Sequence, residues 1–166
     1  MDGVALVQQL NRLAGKHGVG RIDHIESRLV GIKSREIYEA PAATVLIKAH
    51  QALEAMTLSR HQLRFSEKVA SEYADIIYNG LWFTALRRDL AAYVVSSQKY
   101  VTGIVKVKLF KGNSSIVGRK SPTSLYDYSL ATYDKGDAFD QSASPGFIHI
   151  WGLPAKVQTQ VQGCEN

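Results

Sequence analysis

Cysteine is nearly missing from this sequence of 166 residues. The single one, Cys164, stands third from the end, so no disulfide can form within the chain. Long apolar runs are missing too. No stretch approaches the roughly 20 apolar residues that a membrane-spanning helix needs, and Met1-Asp2-Gly3 lacks the basic start and apolar run of a secretory signal. These absences lead us to expect a cytoplasmic protein with no membrane partner. No block of like charge occurs. Lysine and arginine outnumber aspartate and glutamate by 20 to 15, giving a net charge of +5 and a pI near 9.3. Yet the cations run from Arg12 to Lys156 interleaved with acids, and no nucleic-acid reading motif accompanies them. That pattern describes a solvated surface, with room for a positive patch toward anionic ligands but no nucleic-acid partner.

Chemical motifs are equally sparse. His17, His24, His50, His61 and His149 lack metal-ligand spacing, and no nucleophile elbow marks a serine. Gly15-Lys16-His17-Gly18-Val19-Gly20 contains glycines and a lysine but not the order of a phosphate loop, and no strand precedes it. It reads as a helix end with a flexible exit. Neither internal repeats nor a linker divides the chain.

What is present is a run of helical patterns followed by alternation. Asp2 is a suitable N-cap for a helix over residues 3–17, with Val4, Val7, Leu10, Leu13 and Ala14 on one stripe and Gly18 as its stop. Pro41 suits a first helical turn, and Val45, Leu46, Ala49, Leu53 and Met56 continue that helix, on which His50 reads as structural. Ser66 is expected to cap a third helix and Thr84 a fourth, separated by the Asn79-Gly80 break and an aromatic cluster, Leu81-Trp82-Phe83, assigned to the core. Val105, Val107 and Leu109 then alternate with Lys106 and Lys108, which is strand spacing. Lys111-Gly112-Asn113 makes a turn and residues 114–118 return as the partner strand. Residues 119–140 are turn-rich. Pro145 requires a late start, near Ser144, or a kink in the helix that follows, and the polar residues after Pro154 should fray.

The stretch from Gly18 to Pro41 fits none of these patterns. Asp23, Glu26, Glu36 and Glu39 stand against Arg21, Arg28, Lys33 and Arg35, with isoleucine, leucine and valine between them. The mixture is too polar for a core and too apolar for a loose linker. It suits a backbone pinned by apolar residues while charged ones project into a cleft, as in recognition of a charged small molecule. Short strands are expected at residues 22–27 and 29–33, with a turn at Ser34 and Arg35.

The same stretch, with Tyr78-Asn79-Gly80-Leu81-Trp82, Ser121-Pro122-Thr123-Ser124-Leu125-Tyr126 and Gly146-Phe147-Ile148-His149-Ile150-Trp151, closely resembles the C-terminal synthetase domain of the argininosuccinate synthase family. The resemblance covers nearly the whole chain. It implies an α+β fold of several helices packed with a small, largely antiparallel sheet and an extended or helical C-terminal arm. Residues 1–154 would form part of the synthetase domain and residues 155–166 a tail. The family joins citrulline to aspartate with ATP and magnesium through a citrullyl-adenylate. The resemblance implies that most ATP and aspartate contacts lie in an N-terminal domain with a Ser-Gly-Gly loop that this sequence lacks. It also implies a homotetramer. Two positions match the family's citrulline contacts, Glu26 and Tyr38, while its two serine contacts would fall upstream of Met1. A carboxylate can pair with the amino acid's ammonium, and a phenol can donate and accept at its head or ureido group. Without the resemblance, Glu26 reads as a strand-surface acid paired with Arg28, and Tyr38 as a core ring with a satisfied hydroxyl. A fragment of this kind is expected to be inactive alone, and the alternative is a non-catalytic oligomerisation or regulatory module.

Overall fold

The computed structural model describes residues 1–131 and 140–163. They fall into two units, residues 1–126 and residues 127–166. The turn-rich segment Asp134-Lys135-Gly136-Asp137 and Cys164 lie outside the described residues.

The first unit opens with α1 (Gly3–Lys16), whose start is fixed by Asp2. Its carboxylate accepts from the Ala5 N–H at 2.8 Å, satisfying one of the donors that every helix start leaves free. Two antiparallel strands follow, β1 (Arg21–Ser27) and β2 (Lys33–Glu39). Next come α2 (Pro41–Thr57), α3 (Arg60–Tyr78) and α4 (Ala85–Ser97), and a 3-10 turn over Gln98–Tyr100. A second hairpin, β3 (Ile104–Phe110) and β4 (Asn113–Lys120), ends the regular structure. Lys111 and Gly112 both take positive φ at its tip, the two-residue turn whose twist matches that of paired strands.

The core is small. Ala14, Val19 and Val45 are buried together, with Leu10, Val107 and Leu109 packed around them. α1, α2 and the second hairpin therefore share one apolar centre. Lys48 donates to the Ser114 carbonyl and Arg119 to the Ala52 carbonyl at 3.3 Å, tying α2 to β4.

The first hairpin is held at both ends. At its base the Ala40 N–H donates to the Gly20 carbonyl at 2.8 Å. Gly20 has φ +90°, and a Cβ there would stand 2.5 Å from Pro41 Cα, so the close approach of strand and helix requires glycine. Near its tip the Tyr78 hydroxyl, at the end of α3, donates to the Ser27 carbonyl at 3.1 Å.

Three expectations are corrected. The second strand is Lys33–Glu39, not residues 29–33, and the turn is Arg28–Gly31, closed by Gly31 N–H to Arg28 O at 2.7 Å. Leu29, Val30 and Ile32 are exposed at that tip. The third helix starts at Ser59, not Ser66. Ser59 and Gln62 form a reciprocal capping box, a stronger start signal than a lone serine, while the Ser66 hydroxyl lies 3.0 Å from that of Tyr93. The aromatic cluster is not core: Leu81 and Trp82 are about half exposed and Phe83 is 90% exposed.

The second unit contains a short helix α5 (Tyr128–Ala131), a 3-10 turn at Gln141–Ala143 and α6 (Ser144–Gln162). Asp140 caps that 3-10 turn by accepting from the Ser142 N–H at 2.9 Å. Pro145 sits in the first turn of α6, where its missing N–H has no intrahelical acceptor to lose. The helix then runs through Pro154 to Gln162, so the residues after Pro154 expected to fray are helical. Phe147, Ile148, Ile150, Trp151, Val157 and Val161 are exposed along it. Among the described residues the fold is thus α+β, with helices, two antiparallel two-stranded sheets and a helical C-terminal arm.

Candidate functional site

The register of the first hairpin decides what its faces carry. Ile22 pairs with Tyr38, His24 with Glu36 and Glu26 with Ser34. Directly paired residues share a face, so Ile22, His24, Glu26, Ser34, Glu36 and Tyr38 stand together. Arg28 has the same parity and follows Glu26 on that face. The opposite face carries Asp23, Ile25, Arg35 and Ile37. There Arg35 grips Asp23 with two parallel bonds of 2.9 and 2.6 Å. The pair holds the Asp23 carboxyl below the usual carboxylate range and the Arg35 guanidinium above its own.

Glu26 and Tyr38 are four residues apart along the sheet, about 13 Å at strand spacing, yet their side chains meet. The phenol lies across His24, with ring centroids 5.4 Å apart, and its hydroxyl reaches Glu26 Oε2 at 3.4 Å. Tyr38 is not a core ring, being 45% exposed. Partial burial raises its phenol above the ordinary tyrosine value. The negative charges of Glu26 and Glu36 and the hydrogen bond to Glu26 add to the rise, and the Arg28 cation opposes it. The phenol therefore stays protonated, and able to donate, throughout the neutral and mildly alkaline range.

Glu26 and Glu36 share this face but differ in availability. Glu36 is occupied at close range, accepting from both the Arg28 guanidinium and the Ser34 hydroxyl. Glu26 has only long partners: Tyr38 at 3.4 Å, His24 Nε2 at 3.5 Å and Arg28 Nε at 3.8 Å. Its side chain is 20% exposed, so it is partly desolvated and still reachable. A carboxylate in that state retains the capacity to accept strong bonds from an incoming cation. Of Glu26 and Glu36, Glu26 is the one without a close partner, and the Tyr38 hydroxyl stands beside it.

The other candidates are structural or separate. His50 Nε2 lies 3.5 Å from Glu54, whose carboxylate accepts from Gln98 Nε2 at 2.8 Å. This network edges an apolar groove between α2, α3 and α4. Among the described residues no three metal-ligating side chains converge, and no helix is long and apolar enough to cross a membrane. The Gly15–Gly20 segment is not arranged as a phosphate loop after a strand, since α1 precedes it. It is the exit from α1, where the Val19 N–H donates to the Ala14 carbonyl at 3.0 Å.

The charge mixture named Glu36 and Arg28 and set Arg28 beside Glu26, but the sequence pattern did not reveal Ser34 as a member of the cluster. With the strand read one turn too early, Ser34 fell in a presumed turn. Gly31, the glycine inside the true turn with φ +83°, was the available signal.

Comparison with known proteins gives a consistent result. The family described as Arginosuccinate synthase C-terminal domain matches residues 1–158. Argininosuccinate synthase of Dehalococcoides mccartyi strain 195 is 66% identical over 162 residues, 98% of this chain and 40% of that protein. The proteins of the same name from Gloeobacter violaceus and Staphylococcus aureus MW2 are 55% and 56% identical, over 98% and 95% of this chain and 41% and 39% of their own lengths. The chain thus spans about two fifths of the curated relatives it matches.

Proposed function

This chain belongs to the arginosuccinate synthase C-terminal domain family, and from that membership we propose that it is the citrulline-holding part of a ligase that joins citrulline to aspartate with ATP. Glu26 receives the α-ammonium of citrulline and the Tyr38 hydroxyl bonds its head or ureido group. The observation that carries this reading is the meeting of the two side chains at 3.4 Å on one hairpin face, with Glu26 lightly engaged and the phenol held neutral. A charge-assisted bond from ammonium to carboxylate fixes the amino acid, and the phenol sets its rotation. Such positioning is a large part of what an adenylating ligase requires.

We propose that ATP and magnesium are held mainly outside this chain. The Gly15–Gly20 segment is spent on a helix exit, and a Cβ at Gly15 or Gly20 would meet Pro41 rather than an open cradle. In this proposal the activating group is bound by residues in the part of the relatives outside this match. The parent protein is cytoplasmic, and the 166-residue chain alone has no ligase activity.

The test is a hybrid enzyme in which this chain replaces the matching 162 residues of the Dehalococcoides mccartyi strain 195 relative. It should release pyrophosphate in a citrulline-dependent manner, and the 166-residue chain alone should not. Citrulline-dependent release by the chain alone would overturn the division of labour, and a hybrid that folds but cannot use citrulline would overturn the assignment.

A second reading has its own observation. Phe147, Ile148, Ile150, Trp151, Val157 and Val161 are exposed along α6, a surface that suits association with further protein. We propose that this surface packs within a homotetramer of the parent enzyme, and the same surface would serve a non-catalytic assembly module. Light scattering tests both: a strict monomer of the chain at high concentration removes the assembly module, and a monomeric hybrid removes the homotetramer.

A further inference from the structure

Arg28 occupies a position that the citrulline contacts alone do not explain. Its backbone is locked by the hairpin turn, with its N–H donating to the Ile32 carbonyl at 2.8 Å and its own carbonyl accepting from Gly31 at 2.7 Å. From that fixed point its guanidinium turns back over the polar face. Nη2 bonds Glu36 and, at 3.1 Å, the Ser34 hydroxyl. Nε faces Glu26 Oε1 from 3.8 Å, beyond hydrogen-bond length. The cation therefore stands between two carboxylates, bonded to one and only near the other.

We propose that Arg28 is a positioning residue for citrulline capture, anchored on Glu36 and Ser34 so that it steadies the Glu26 carboxylate opposite Tyr38 without occupying it. The proposal rests on the assignment of Glu26 and Tyr38 to citrulline. Its physical basis is competition for one guanidinium. Arginine prefers a two-pronged grip on a carboxylate, and such a grip on Glu26 would block the acceptor that the ammonium needs. Glu36 and Ser34 hold the guanidinium by Nη2 instead. What reaches Glu26 is the field of a nearby cation, which offsets the repulsion between two acids on one face. Glu36 is thus an anchor for Arg28 rather than a ligand contact.

The arrangement separates this role from simple structural support. Arg28→Gln in the hybrid enzyme should raise the citrulline KM about tenfold and leave the ATP KM within about twofold. Arg28→Lys, which keeps the charge but loses the fork, should recover part of that loss. Glu36→Gln should also raise the citrulline KM, because the freed guanidinium moves onto Glu26. In holding citrulline Glu36 works by anchoring Arg28, so the double variant should be no worse than Arg28→Gln alone, a non-additivity that independent structural defects do not produce. In the 166-residue chain itself, ring-labelled tyrosine NMR, with the Tyr38 signal assigned through Tyr38→Phe, reads the same device. The phenol faces Glu26, Glu36, Arg28 and His24. Removing the Arg28 cation should move its titration further up, and Glu36→Gln should move it down.

The two levels fail separately. A neutral Glu26→Gln overturns the citrulline assignment itself. A damaging Glu26→Gln with a neutral Arg28→Gln, or with fully additive Arg28 and Glu36 effects, leaves that assignment standing and overturns the positioning role. If Arg28→Gln does not fold, Glu36→Gln and Arg28→Lys decide the matter, and a Tyr38 titration unmoved by Glu36→Gln counts against the proposal.

Discussion

Replacing Glu26 by glutamine keeps its size and removes its charge. The three neighbours of Glu26 lie at 3.4, 3.5 and 3.8 Å, so none depends on a short bond to it and the hairpin should survive the change. What is lost is the bond to the citrulline ammonium. A hydrogen bond to a charged group contributes about 1.5–3 kcal/mol. At 1.4 kcal/mol per tenfold, that corresponds to an increase of about ten- to a hundredfold in the citrulline requirement. The assay is initial-rate pyrophosphate release by the hybrid enzyme, with citrulline varied at saturating ATP and the reverse. The citrulline KM should rise while the ATP KM stays nearly constant, the signature of lost ground-state binding. Equal increases in both constants, or none in either, would refute the reasoning, because neither result follows from one missing ligand contact.

Tyr38→Phe removes a neutral bond partner worth about 0.5–1.5 kcal/mol, so the same assay should show a smaller rise in citrulline KM, about two- to tenfold; a rise exceeding that of Glu26→Gln would reverse the proposed roles. Gly20→Ala forces a Cβ to within 2.5 Å of Pro41 Cα at φ +90° and should destabilise the chain by about 1–3 kcal/mol in urea unfolding, with an unchanged midpoint as the contrary result. The Asp23 carboxyl is held low by Arg35, so its contribution to stability is full above the unfolded carboxylate value near ~3.9 and disappears as pH falls through the lower folded value. Melting Asp23→Asn beside the parent from pH 2 to 6 should show a flatter acid limb, and parallel limbs would contradict the pairing.

Where side-chain pattern and burial agreed, the elements were readable. Asp2 capped α1 as its side chain allows, and the alternation of Val105, Val107 and Leu109 with lysines marked β3 because one face of that hairpin meets the core at Val107 and Leu109. The first hairpin defeated the same logic. Leu29, Val30 and Ile32 are apolar and invited a strand, yet they form and flank an exposed turn, while the true strand Lys33–Glu39 carries charges on both faces. Apolar pattern reports burial within the chain's own core, and this hairpin is not packed into that core. The same reasoning explains Leu81-Trp82-Phe83, whose apolar character suggested an interior that this chain does not provide.

The site was legible in a different way. Glu26 and Tyr38 were named through resemblance, twelve residues apart, with nothing in periodicity to single them out. Their convergence depends on a register of Ile22 with Tyr38 and Glu26 with Ser34, which in turn depends on a turn at Arg28–Gly31. The strand assignment at residues 29–33 would have left Tyr38 outside the hairpin. Ser34 and Glu36 join the cluster through the correct register, and Arg28 reaches it from the turn.

The most direct measurement is a crystal structure of the hybrid enzyme with citrulline bound. The account predicts the citrulline ammonium about 3 Å from a Glu26 carboxylate oxygen, with the Tyr38 hydroxyl at hydrogen-bond distance from the same molecule. Citrulline seated away from this hairpin face, with Glu26 and Tyr38 touching only each other and protein, would contradict it.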